Sequence, residues 1–140
     1  PAILLLGLMG LGVGIIISEH NFVRVPGEQE LEAFAKDVKR FGAGGLKIAA
    51  MSNDQDDCGR LYKFTRKQSK HFEMFAAFGM GDTGKVSRIW SLKEGANLTY
   101  GAIGKAAAPG QIDVSTSKKA LDQLDNINSE FELLAFLSKF

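Results

Sequence analysis

The sequence of 140 residues has a single cysteine and no marked excess of either charge. Cys58 has no second thiol with which to form a disulfide or a thiolate metal site, which fits a reducing compartment such as the cytoplasm. Seventeen basic and sixteen acidic residues leave a net charge of +1, so no overall field favours nucleic acid or an anionic membrane as a partner. With 45% hydrophobic and 24% charged residues, the composition is that of a globular domain.

The sequence also lacks an apolar run long enough to cross a membrane. The run over residues 2–17 is shorter than the roughly 20 residues that a membrane-spanning helix needs. Four glycines between positions 7 and 14 argue against one continuous helix, and no basic residues precede the run as they would in a signal peptide. We therefore expect a buried helix end, a turn and a buried strand there. A non-catalytic, membrane-anchored or partner-binding module that uses this run is the alternative.

Short apolar runs alternate with amphipathic segments along the rest of the chain. Strands are predicted over residues 13–18, 46–51, 74–79 and 97–102. Helices are predicted over residues 28–41, 54–70 and 116–127, with a shorter one over 129–140. Strands that are apolar on both faces and alternate with helices indicate a parallel sheet covered by helices.

The spacing of these elements favours a TIM (β/α)8 barrel over a small doubly wound sheet, which is the alternative. A closed barrel typically needs about 250 residues, so four βα units supply half of one. We therefore expect residues 1–128 to form a half barrel and residues 129–140 a helical tail. Since a half barrel exposes two strand edges and its inner face, the chain alone is expected to aggregate or to self-associate, for example as a homodimer.

Lys47 is the only ionisable residue in the second predicted strand. A charged ammonium in an apolar strand would cost several kcal/mol or lose its proton. Because a neutral amine is a nucleophile toward carbonyls, Lys47 is either a functional amine or a lysine that reaches water from the strand end.

Two further residues are candidates for chemistry near strand ends. His20 follows the first apolar run, and the carboxyl ends of the strands carry the active site of a βα-barrel, where an imidazole suits acid and base catalysis. A histidine that binds loop backbone is the alternative. Arg88 follows the glycine-rich segment after the third strand and offers a planar fork to a carboxylate, unless it is a surface residue.

The small-residue segment over residues 105–113 is typical of a lid that approaches a ligand closely. We call it the lid loop. Gln111 in this loop could present a donor and an acceptor to ligand hydroxyls. A plain connecting loop is the alternative.

Five segments together resemble type I 3-dehydroquinate dehydratase, in that family's order and spacing. The family's catalytic-histidine segment is similar to Ser18-Glu19-His20-Asn21-Phe22, and its Schiff-base strand to Leu46-Lys47-Ile48-Ala49-Ala50-Met51. Its arginine segment is similar to residues 80–88, its last strand to residues 98–101, and its closing loop to Ala108-Pro109-Gly110-Gln111-Ile112.

The resemblance implies an eight-stranded barrel that dehydrates 3-dehydroquinate to 3-dehydroshikimate in the shikimate pathway of aromatic amino acid biosynthesis. It implies no metal and no diffusible cofactor. Lys47 would form the Schiff base, His20 would transfer protons and Arg88 would hold the substrate carboxylate. Gln111 would bind a substrate hydroxyl, and Met80 would form a wall of the pocket. An aldolase-type Schiff-base barrel is the competing enzyme class.

The chain departs from the family's pattern at several positions. Asn21 stands where the family commonly has aspartate after the histidine, and Ala107 stands where the lid commonly has serine. The family's first four βα units, which supply a glutamate and further arginines, have no counterpart here. We therefore expect the chain alone to be a poor enzyme.

Overall fold

The computed structural model describes residues 14–140, in which three parallel strands form one sheet. The strands follow the chain order, β1 (Ile16–Asn21), β2 (Gly45–Met51) and β3 (Met74–Met80). The second and third predicted strands are confirmed almost to the residue. The start of the first predicted strand and most of the apolar run over residues 2–17 lie outside the described residues.

The strand register brings the predicted site residues onto one face of the sheet. Lys47 lies opposite Ser18 of β1, and His20 lies opposite Ala49 of β2. Side chains two residues apart on a strand point to the same face, so Lys47 and Ala49 share the face that also carries His20. Lys47 is therefore one row deeper in the sheet than His20.

The opposite face of the sheet is covered by α1 (Glu28–Arg40) and α2 (Gln55–Gln68). Asp54 caps the N-terminus of α2, because its side chain accepts a hydrogen bond from Asp57 N at 2.9 Å. Both helices contribute to one core with the sheet, and the buried residues they share with it include Leu31, Ala35, Val38, Leu46, Ile48, Ala50, Leu61, Phe64, Phe75 and Ala77.

Four further helices follow β3: α3 (Gly81–Gly84), α4 (Ser87–Lys93), α5 (Val114–Asp122) and α6 (Glu130–Leu137). The predicted helices near residues 116–127 and 129–140 are thus present with shifted ends. Helices α4, α5 and α6 pack around a second core, made of Ile89, Ile112, Ala120, Ile127, Leu133 and Leu137.

The predicted fourth strand over residues 97–102 is wrong for the part of the chain described. Only Asn97 continues the sheet, since its N–H donates to Phe75 O at 3.2 Å and its side-chain Oδ1 accepts from Phe75 N at 2.9 Å. Ala102 forms an isolated bridge with Asp113 instead. The segment is mostly half-buried, and it crosses over the sheet's inner face without extending its edge.

The fold is an α/β structure in which helices α1 and α2 pack on the same face of a parallel sheet. A doubly wound sheet carries helices on both faces, so this arrangement is consistent with part of a βα-barrel. The other face lines a cavity, described below. Within residues 14–140, no helix has both the length and the apolar character needed to span a bilayer.

Candidate active site

The inner face of the sheet, the segment after α4 and the lid loop enclose a cavity of about 540 Å³. We call it the inner cavity. The side chains that line it include the five residues singled out from the sequence, which are His20, Lys47, Met80, Arg88 and Gln111. The other lining residues are Phe22, Ala49, Phe78, Tyr100, Ala107 and Ala108.

Lys47 and His20 meet inside the inner cavity. Lys47 Nζ lies 3.2 Å from His20 Nε2, because the lysine side chain rises from the deeper row of the sheet to the level of the imidazole. Burial and then the positive charge of Arg88 lower the pKa of Lys47. Burial and then Lys47 lower the pKa of His20, against a smaller opposing effect of Glu19. Both groups are thereby shifted toward their neutral forms.

Arg88 forms part of the cavity wall from the first turn of α4. It is 2% exposed, and burial lowers its pKa to about 10. One guanidinium nitrogen donates to Pro109 O at 3.2 Å, while Nε is buried without a hydrogen-bond partner among residues 14–140. An unpaired buried donor costs free energy until an acceptor reaches it, so this guanidinium is suited to an anionic ligand.

The lid loop is held against the turn that follows β3. Gly81 N donates to Pro109 O at 3.2 Å, so Pro109 O accepts from both Gly81 and Arg88. Gly110 has a φ of 71°, and a Cβ placed there would lie 2.2 Å from Gly81 O. Gln111 Oε1 accepts from Ala107 N at 2.8 Å, which leaves the amide NH2 of Gln111 to face a ligand.

Met80 lies at the end of β3 and is 1% exposed. It packs in a third apolar cluster beneath the inner cavity with Ala49, Ala76 and Phe78, against which Tyr100 and Ala108 also rest. This cluster gives the cavity an apolar floor.

Two aromatic residues of the site were missed by sequence reasoning. Lys47 Nζ lies 4.1 Å from the centroid of the Tyr100 ring, and Arg88 Cζ lies 4.5 Å from the centroid of the Phe78 ring. The alternation of β3 could have identified Phe78, which is two residues before Met80 and faces the same side. Tyr100 carries no such signal, because its segment is not a strand.

Asn21 does not touch the imidazole that it follows. Its Oδ1 accepts from Val23 N and Arg24 N, both at 3.0 Å, and so closes the turn after β1.

The inner cavity is positive in character. Among the described residues, none of those lining it is acidic, while Lys47 and Arg88 both reach it. Within residues 14–140, no three His, Cys, Asp or Glu side chains come close enough together to hold a metal ion. A paired amine and imidazole beside a guanidinium are suited to a ligand that has both a carbonyl and a carboxylate.

Comparison with known proteins agrees with this chemistry. The family model described as type I 3-dehydroquinase matches residues 7–128. A catabolic 3-dehydroquinate dehydratase from Acinetobacter baylyi is 37% identical over 108 residues, which cover 76% of this chain and 40% of the relative. A 3-dehydroquinate dehydratase from Methanococcus maripaludis is 35% identical over 114 residues, covering 79% of this chain and 50% of the relative.

A solved structure of a relative is also similar to this chain over part of its length. The type I 3-dehydroquinate dehydratase of Clostridium difficile superposes with a TM-score of 0.73 at 30% identity, covering 82% of this chain and 46% of that one. The chain thus spans about half the length, or less, of the relatives that it matches.

Proposed function

Because this chain belongs to the type I 3-dehydroquinase family, we propose that it supplies the Schiff-base half of a 3-dehydroquinate dehydratase active site. The observation that carries the proposal is the 3.2 Å contact between Lys47 Nζ and His20 Nε2, inside a cavity that also holds Arg88. The C. difficile relative was solved with a covalently modified comenic acid, which supports covalent chemistry in this family.

The first proposed step is addition of the Lys47 amine to the ketone carbon of 3-dehydroquinate. The amine must be neutral, and its lowered pKa increases the neutral fraction. The carbonyl oxygen takes one proton from the amine and one from solvent and leaves as water, and the nitrogen becomes a positively charged iminium. Arg88 would bind the substrate carboxylate through donors that the lid does not use.

The second proposed step is elimination of the substrate hydroxyl. The iminium acidifies the adjacent C–H, and neutral His20 takes that proton while the electron pair moves toward nitrogen as an enamine. The enamine pair then expels the β-hydroxyl, which leaves as water with the proton from His20. Hydrolysis of the conjugated iminium releases 3-dehydroshikimate and returns the Lys47 amine.

The remaining site residues orient the ring. From the lid loop, the free amide NH2 of Gln111 would donate to a substrate hydroxyl. Met80, in the apolar floor, would contact one side of the substrate ring. Ala107 has no hydroxyl to add, so Gln111 is the polar side chain that the lid loop brings to this cavity.

We further propose that the chain is a half barrel that needs a complementary half for activity. It spans 40% to 50% of the relatives described above. The missing part would close the barrel and, as the family resemblance implies, add an acidic partner for His20.

The test is complementation. This chain is co-expressed with the N-terminal part of the Acinetobacter enzyme that it does not match, and conversion of 3-dehydroquinate is followed by the absorbance of the conjugated product. We expect conversion by the complex, none by the chain alone, and none after Lys47→Met. Lys36→Met, which changes an exposed lysine of α1, is the matched control. Conversion that survives Lys47→Met would refute the proposal, as would aldol cleavage without dehydration.

A further inference from the structure

Two aromatic rings of the inner cavity each contact one of its two cations. The Tyr100 ring lies against the ammonium of Lys47, and the Phe78 ring lies against the guanidinium of Arg88, at the distances given above. The two rings also contact each other, with centroids 6.1 Å apart and planes tilted by 52°. The contacts therefore link Lys47 to Tyr100, Tyr100 to Phe78, and Phe78 to Arg88.

The described residues give Lys47 no carboxylate partner in the inner cavity. The groups that face its nitrogen are His20 from β1, Arg88 from α4 and Tyr100 from the segment before the lid loop. Arg88 repels a positive charge on this nitrogen, neutral His20 can accept a hydrogen bond from it, and the face of the Tyr100 ring attracts it. The face of an aromatic ring is negative, so a cation placed over it is stabilised, and more strongly where water is scarce.

We propose that Tyr100 is a positioning residue for Lys47: its ring face holds the terminal nitrogen beside His20 whenever that nitrogen carries a positive charge. Phe78 holds Arg88 in the same manner. The extension to catalysis rests on the proposed function, since the ammonium and the iminium each place one positive charge on the same nitrogen. The ring would then stabilise the covalent intermediate without a carboxylate that could trap the amine in a salt bridge.

A purely structural role for Tyr100 makes a different prediction. If the ring only fills space, its effect on Lys47 depends on its shape and is insensitive to the electrons on its face. Fluorine atoms withdraw electron density from the ring while changing its size little. A fluorination series at position 100 therefore separates the two roles.

The experiment uses the full chain without substrate. Phenylalanine and its mono-, di- and trifluorinated forms are incorporated at position 100, and lysines are dimethylated with 13C-formaldehyde. The Lys47 methyl signal is assigned by its loss in Lys47→Arg, and its pH titration gives the acid dissociation constant. We expect this constant to rise stepwise with fluorination, by about fivefold in total, which is the range of a partly buried cation–π contact.

Two results would overturn the inference. One is an acid dissociation constant of Lys47 that does not change across the fluorinated variants. The other is a Lys47 methyl signal whose ring-current shift survives Tyr100→Leu, which removes the ring. Tyr100 is only partly buried, so the folded chain is expected to tolerate these changes. Because no substrate is present, this experiment does not depend on dehydratase activity. A stepwise rise of the constant together with failed complementation would support the role of Tyr100 and refute the proposed dehydratase function.

Discussion

At the scale of single residues, the nitrogen of Lys47 is subject to opposing influences. Burial and Arg88 lower its pKa and favour the neutral amine, which is the nucleophile. The face of the Tyr100 ring favours the charged form, which the iminium also is. The site is thereby suited both to a neutral amine before addition and to a cation after it.

His20 makes the stability of the chain depend on pH. Its pKa in the fold is lowered below the ordinary 6.5, so the folded state binds a proton less readily than the unfolded state. The contribution of His20 to the free energy of unfolding is therefore fully present above about pH 6.5. It is lost as the pH falls through the lower pKa that His20 has in the folded state.

We predict that His20→Gln flattens this acid dependence. The free energy of unfolding, measured by urea titration between pH 7.5 and 5, should decline less in the variant than in the wild type. His71→Gln, which replaces an exposed histidine far from the inner cavity, should retain the wild-type decline. An equal decline in His20→Gln and the wild type would contradict the prediction.

Sequence reasoning found the ionisable residues of the site but not their aromatic partners. A lone lysine in an apolar strand and a histidine at a strand end are visible in one dimension. The Tyr100 contact depends on where a non-strand segment crosses the sheet, which local patterns do not specify. Whether Lys47, His20, Arg88, Gln111 and Met80 have the proposed roles stays a prediction.

At the scale of elements, α1 and α2 were predictable because their apolar residues repeat at helical spacing, and β2 and β3 because each is a short apolar run between turn residues. The segment over residues 97–102 pairs with the edge strand β3 only at Asn97. Thr99 Oγ1 donates to Arg88 O at 2.6 Å, and this contact draws the segment across the inner face. Tertiary contacts therefore overrode an apolar pattern that is ambiguous by itself.

The lid loop depends on a close approach between Gly110 and Gly81. We predict that Gly110→Ala undocks the loop, because the left-handed φ costs about 1 kcal/mol and the new Cβ would clash with Gly81 O. The measurement is hydrogen exchange of the Gly81 amide, which donates to Pro109 O.

Gly104→Ala is the matched control for the lid loop. Gly104 also has a positive φ, 75°, but a Cβ there meets nothing within 4 Å. The Gly81 amide should exchange at least about tenfold faster in Gly110→Ala than in Gly104→Ala, equivalent to about 1.4 kcal/mol. Equal exchange rates in the two variants would show that the contact does not hold the loop.

At the scale of the whole molecule, the described sheet ends at an unpaired β1. Phe22 and Val23, which follow that strand, are 64% and 77% exposed. This chain covers 40% of the Acinetobacter relative and 46% of the C. difficile structure, and we propose that further chain covers this region in a closed barrel. An exposed edge and apolar inner face favour association with another chain.

We predict that the chain alone self-associates through this edge. Sedimentation velocity at micromolar concentration should show a dimer or larger species, and Val23→Lys should shift it toward monomer. Phe131→Ser is the control, since Phe131 is 80% exposed on α6, away from the sheet edge. A monomeric wild-type chain with a cooperative melt would refute the half-barrel proposal.

The most direct test of the central claim is borohydride trapping of the complemented chain with 3-dehydroquinate, followed by mass spectrometry of its peptides. A Schiff base on Lys47 predicts one reduced adduct, located on the peptide that contains Lys47 and absent in Lys47→Arg. An adduct confined to another lysine, or no adduct from a complex that dehydrates the substrate, would contradict it.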